Sequence, residues 1–192
     1  MNYDPAIHHR RSIRLPGYDY AQAGAYFVTV CTSDRELPLG EVVDGEMQMS
    51  HVGCMADMAC CWLAGQYAYV HLDAYIVMPN HVHAILWIID ELVQAACGPH
   101  PRPAKRKPLG RLVGAFKTVS TNWANHFRGT PGEPLWQRNY YEHIVRTERA
   151  LKAIRRYIIE NPLRWELDRY NPAATGPDPD ARDLWRLLQE DL

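Results

Sequence analysis

The stretch Tyr75-Ile76-Val77-Met78-Pro79-Asn80-His81-Val82-His83-Ala84-Ile85-Leu86-Trp87-Ile88 decides how this chain is read. It consists of two apolar runs joined at Pro79-Asn80, a residue pair suited to a turn. Side chains of a strand alternate between its faces, so His81 and His83 point one way and Val82 the other. Two imidazoles side by side on a rigid strand can chelate one metal ion. Both faces of each run carry apolar residues, which predicts central strands covered on both sides.

Working outward, residues 25–32 (AYFVTVCT) are aromatic and β-branched and predict a strand. Residues 39–49, around the turn signal Asp44-Gly45, predict a short hairpin. Residues 50–67 predict a helix with Val52, Met55, Ala59, Trp62 and Leu63 near helical spacing and Ser50 as N-cap. Residues 109–127 predict a second helix, its stripe formed by Leu112, Val113, Phe116, Val119 and Trp123. Residues 135–145 read as a strand of weak alternation. Residues 147–160 read as a helix capped by Thr147, with Glu148 in its first turn, a buried stripe of Leu151, Ile154 and Ile158, and Pro162 beyond its end. The order is strand, hairpin, helix, two strands, helix, strand, helix. It predicts an α+β fold, a ferredoxin-like plait with a central antiparallel sheet and packed helices.

The chain has 192 residues, 47% of them apolar, enough for one cored domain. That domain is expected over residues 1–170, interrupted by a Pro-rich basic linker at 91–108 and followed by an acidic tail at 171–192. No apolar run reaches the length of a membrane span and residues 1–14 are polar, so a cytoplasmic protein with no membrane partner and no small-molecule cofactor is expected. The cysteines, at 31, 54, 60, 61 and 97, lack Cys-x-x-Cys spacing and read as free thiols. Net charge is −1, but residues 92–132 contain no Asp or Glu while carrying Arg102, Lys105, Arg106, Lys107, Arg111, Lys117 and Arg128. A basic segment in a near-neutral chain fits a polyanion. Lys105, Arg106, Lys107, Arg111, Lys117, Arg138, Arg155 and Arg156 are the candidate phosphate contacts. A solvated basic surface is the plainer reading of the same residues.

On the last predicted helix Tyr157 and Asn161 lie four apart and share a face beside the apolar stripe. They are expected at the rim of the helix–sheet contact, looking toward His81 and His83. Two imidazoles and an amide oxygen can bind a divalent cation with open positions, which would polarise a phosphodiester. A tyrosine hydroxyl could then attack phosphorus to give a covalent phosphotyrosine. Taken singly, Asn161 is a helix-end residue and Tyr157 a surface aromatic. The patch Leu184-Trp185-Leu187-Leu188 reads as a short amphipathic piece that docks back on the domain or covers its cleft.

Met78-Pro79-Asn80-His81-Val82-His83, Gly114-Ala115-Phe116-Lys117, residues 135–143 (LWQRNYYEH) and Tyr157-Ile158-Ile159-Glu160-Asn161-Pro162 closely resemble, in order, the REP-associated tyrosine transposases. These belong to the single-tyrosine HUH transposase superfamily. The resemblance covers residues 11–165. It implies an HUH endonuclease-like fold, Tyr157 as nucleophile, and His81, His83 and Asn161 as ligands of Mg²⁺ or Mn²⁺. It also implies cleavage and rejoining of single-stranded DNA at hairpins of REP type through a 5′-phosphotyrosine. His143 lies in a recognisable strand segment, either as a possible active-site residue or as a half-buried strand residue. Relatives act as monomers or as homodimers that exchange tyrosine helices. Two other readings stay open: a non-catalytic nucleic-acid-binding plait, and a metallonuclease in which water attacks.

Overall fold

A computed structural model describes residues 15–90 and 106–190. Residues 1–14, Lys105, Cys97 and most of the Pro-rich linker lie outside the described residues. The central sheet contains β1 (Gly24–Cys31), β4 (Val70–Met78), β5 (His81–Ile88) and β6 (Tyr141–Val145) in the order β4-β5-β1-β6, with every neighbouring pair antiparallel. This is the strand order of a ferredoxin-like plait. Helix α1 (His51–Gln66) crosses from β1 to β4, and α2 (Leu109–Arg128) from β5 to β6. The separate hairpin β2 (Gly40–Val43) and β3 (Glu46–Met49) turns at Asp44-Gly45, whose φ values of 51° and 77° suit a right-twisted two-residue turn.

Alternation divides the core into two layers. Tyr26, Val28 and Val30 of β1 and Val82, Ala84, Leu86 and Ile88 of β5 pack under α1 and α2. The opposite face carries Ala25, Phe27 and Ile85, covered by α3 (Glu148–Ile159) and α4 (Pro179–Glu190). Both crossover helices lie on one face because a right-handed crossover returns the chain to the same side of the sheet. The other face is therefore left for the helices that follow the last strand.

Helix α3 forms as its sequence predicts. Thr147 Oγ1 accepts from the Ala150 amide at 3.2 Å, and Leu151, Ile154 and Ile158 are buried. Its aim is set from outside. Between Leu72 and Tyr75 the β4–β5 register shifts, so two residues of β4 oppose one of β5. At that bulge Asp73 accepts from Arg155 Nε (3.0 Å) and Nη2 (2.6 Å) and from Trp87 Nε1 (2.9 Å), tying α3 to the sheet.

One predicted element is shorter than its sequence suggests. The strand expected over 135–145 is regular only over Tyr141–Val145. Trp136 bridges to Thr32, and the Gln137 amide donates to the Cys31 carbonyl at 2.9 Å, so the segment still follows β1. Between these points Lys117 Nζ takes the carbonyls of Gln137 (2.8 Å) and Asn139 (2.9 Å), pulling the backbone out of the ladder. Among the described residues no helix is long and apolar enough to cross a membrane, and Cys31, Cys54, Cys60 and Cys61 are free thiols.

Candidate metal centre and nucleophile

His81 and His83 stand opposite Cys31 and Thr29 in the β1–β5 ladder, on the sheet face covered by α3. Both are fully buried, with ring centroids 4.5 Å apart. Each uses Nδ1 for a hydrogen bond: His83 with Thr29 Oγ1 at 2.8 Å, His81 with Asn80 Oδ1 at 2.9 Å. The Asn80 amide has only one consistent orientation, because its Nδ2 donates to the carbonyls of Tyr170 (2.6 Å) and Arg35 (3.4 Å). Its Oδ1 must accept, so His81 Nδ1 carries the proton and Nε2 presents a lone pair. Burial lowers both imidazoles below their ordinary value, His81 to about 3 against the favourable effect of Asn161, so both are neutral at neutral pH. The Nε2 atoms of both histidines are buried without a hydrogen-bond partner. Neutral imidazoles with Nδ1 engaged and Nε2 bare are the usual state of metal-binding histidines.

Asn161 follows α3 and opens the 3-10 turn Pro162–Leu167. Its Oδ1 is a third buried atom without a partner. Its Nδ2 donates to Asp168 Oδ2 at 3.1 Å, while Asp168 Oδ1 accepts from the Tyr170 amide at 2.7 Å. His81, His83 and Asp168 each bring a ligand atom within 4.8 Å of the others, a donor set fit for a divalent cation. Asp168 escapes a sequence reading because no periodicity or motif marks it. Only the turn after α3 carries it back to the histidines. Asn80 escapes for a similar reason, since a turn position accounts for it before any second role is needed.

Tyr157 projects from α3 onto the same face, its ring 5.2 Å from that of His83 and 6.5 Å from that of Phe27. The sequence places Tyr157 and Asn161 at a rim, but both are buried, 3% and 1% exposed. Residues 162–190 fold over the rim. Tyr170 packs 4.6 Å from His81 and Trp185 of α4 6.3 Å from Tyr157. Burial, with Asp168, Tyr170 and Asp178 nearby, raises the Tyr157 phenol well above its ordinary value, so it is protonated at neutral pH. It borders a cleft of about 440 Å³ lined also by Asp168, Arg169, Arg182 and Trp185.

The basic candidates separate. Arg155 is held by Asp73, Arg106 pairs with Asp90 at 2.6 Å, and Lys107 Nζ donates to Tyr67 Oη at 3.1 Å. Lys117 is half-buried on the carbonyls of the segment before β6, and burial lowers it to about 8. Arg111, Arg138 and Arg156 are exposed. Arg106, Lys107 and Arg111 line an open groove of about 750 Å³ beside α2, in the helix layer opposite the histidines. His143 shares the sheet face of His83 but pairs with Phe27, and Tyr141 takes the position opposite Thr29. His143 is not part of the His81, His83 and Asp168 group.

No family model matches the chain. The architecture is that of a REP-associated tyrosine transposase solved bound to a REP hairpin. The two agree with a TM-score of 0.54 over 81% of this chain and 74% of that one, and at 18% identity the likeness defines the fold alone. A second solved structure, a candidate transposase of Deinococcus radiodurans, is 22% identical over 79% of this chain and 98% of that one, with a TM-score of 0.43, too slight a likeness to argue from. By sequence the chain belongs to one family with a Haemophilus influenzae protein described as an uncharacterized protein. The two are 35% identical over 175 residues, which is 86% of this chain and 95% of the relative.

Proposed function

We propose that this protein is a metal-dependent single-stranded DNA endonuclease and strand transferase acting at hairpin DNA of REP type, with residues 1–170 carrying its catalytic groups. One observation carries the reading: three buried, partnerless atoms, His81 Nε2, His83 Nε2 and Asn161 Oδ1, lie on the sheet face that also receives Tyr157. His81, His83 and Asn161 would hold Mg²⁺ or Mn²⁺, which supplies Lewis-acid polarisation of a phosphodiester when bound. Tyr157 attacks phosphorus: the Oη–P bond forms, the P–O3′ bond breaks, and the phenolic proton is lost as the 3′-oxygen gains one. The product is a 5′-phosphotyrosine and a free 3′-hydroxyl. A phenolate leaves phosphorus more readily than an alkoxide, so a second 3′-hydroxyl can reverse the step and join a new strand.

Tyr157 and His83 meet within one chain, which favours a monomer as the working unit over exchange of α3 between subunits. The groove of Arg106, Lys107 and Arg111 suits the phosphates of a folded hairpin, held apart from the strand that reaches the histidines. The test is incubation of hairpin DNA with a single-stranded flank and Mn²⁺, followed by denaturing electrophoresis. A 3′-label should migrate with the protein and a 5′-label as a free fragment, and Tyr157→Phe should lose the adduct. Free ends with no adduct would favour attack by water. Binding without cleavage would favour a non-catalytic plait.

A further inference from the structure

We propose that Asp168 is a direct protein ligand of the cation held by His81, His83 and Asn161, adding a carboxylate to two imidazoles and an amide; the inference rests on the metal reading above. The ligand atoms of His81, His83 and Asp168 lie within 4.8 Å of one another. Octahedral bonds of about 2.1 Å put ligand atoms roughly 3–4.2 Å apart, so closure on an ion needs only small side-chain movements.

Asp168 is 4% exposed, and among the described residues no cation forms an ion pair with it. Its hydrogen-bond donors are neutral: the Tyr170 amide on Oδ1 and the Asn161 amide on Oδ2. A buried carboxylate whose hydrogen-bond donors are all neutral, with Arg169 beside it but not paired to it, is left short of the direct counter-charge that burial ordinarily requires. The imidazoles beside it are buried and bare at Nε2, so a divalent cation would satisfy all three groups together. Each carboxylate oxygen keeps a lone pair free after its one hydrogen bond.

The contact with Asn161 adds a second consequence. With Nδ2 committed to Asp168, the Asn161 Oδ1 must point away from the carboxylate, and it is this atom that is left without a partner. Asp168 therefore both contributes a charge and turns the amide. Two imidazoles and an amide form an uncharged ligand set, whereas the carboxylate makes it anionic and better suited to a hard ion such as Mn²⁺ or Mg²⁺.

The test is Mn²⁺ binding to the full chain, followed by loss of the free-ion electron paramagnetic resonance signal, with circular dichroism to verify folding. Wild type is compared with Asp168→Asn, His83→Ala and the double swap Asn161→Asp/Asp168→Asn. Asp168→Asn keeps the acceptor for the Tyr170 amide but removes the charge. It should weaken Mn²⁺ binding by more than about 100-fold, beyond the loss expected of a residue that only orients a ligand. The double swap restores a carboxylate across the same hydrogen bond and should recover most of that loss. It also serves where Asp168→Asn alone does not fold. Asp168→Asn binding within about 100-fold of wild type, with His83→Ala impaired beyond that, would leave the metal reading intact and make Asp168 at most an orienting group. Failure of the double swap to recover binding would likewise make Asp168 an orienting group only. If His83→Ala binds Mn²⁺ as wild type does, the metal reading falls and this inference with it.

Discussion

Asn80 links the two halves of the candidate site through one amide. Its oxygen accepts a hydrogen bond from His81 Nδ1, and its nitrogen donates to the Tyr170 carbonyl in the turn after α3. The first bond selects the imidazole tautomer that leaves Nε2 bare, and the second anchors Tyr170, whose ring packs on His81. Asn80→Ala should therefore reduce Mn²⁺ affinity by about 10–100-fold while leaving β4 and β5 paired, since the ladder uses backbone atoms. Calorimetric titration with Mn²⁺ measures the first effect and far-ultraviolet circular dichroism the second. Unchanged affinity would mean that water orients His81 as well as Asn80 does.

At the scale of elements, α3 is placed by two interactions of different kinds. The Leu151, Ile154 and Ile158 stripe supplies burial, which is strong but tolerant of rotation and sliding. Asp73, at the β4 bulge, supplies direction through its paired bonds to Arg155, two residues before Tyr157. Alternation from Leu72, which faces the other layer, points Asp73 to the face where α3 packs, and the bulge sets Ala74 on that face beside it. Asp73→Ala should cost on the order of 1 kcal/mol of stability, as expected for a half-exposed ion pair. The same substitution should slow formation of the tyrosine adduct without changing Mn²⁺ affinity, because no metal-facing atom is removed. Urea denaturation, adduct kinetics and Mn²⁺ titration separate the three quantities. Equal adduct rates in variant and wild type would show that apolar packing alone aims Tyr157.

For the whole molecule, the segment after residue 170 completes the core of the candidate active face. Ala181, Leu184 and Leu188 of α4 join the cluster of Phe27, Ile154 and Tyr157. Trp185 lies 6.3 Å from the Tyr157 ring, under the Arg169 guanidinium at 5.5 Å. A strand reaching Tyr157 must therefore enter through the cleft beside α4 or displace it. Trp185→Ala should destabilise the fold by about 2 kcal/mol and raise the rate of adduct formation at temperatures where the variant stays folded. Thermal denaturation and single-turnover adduct assays test both parts. A slower adduct would instead make Trp185 part of the DNA-binding surface.

Features set by neighbours in sequence were legible in it. Alternation put His81 and His83 on one face, Thr147 capped α3, Asp44-Gly45 made its turn, and the apolar stripe chose the buried side of α3. Each depends on a backbone period or a side-chain bond spanning a few residues, so the chain carries the information locally. Tertiary structure decided which polar groups meet. Asp168 lies more than eighty residues from His83 and reaches it only because a 3-10 turn reverses the chain after α3. The burial of Tyr157 depends on α4, whose docking site exists only once the sheet and α3 have assembled. Lys117 and Arg155, both plausible phosphate contacts by charge, are instead committed to carbonyls and to Asp73. Such commitments are set by packing, because a charged side chain takes whichever partner the fold brings within reach, and sequence spacing does not name that partner.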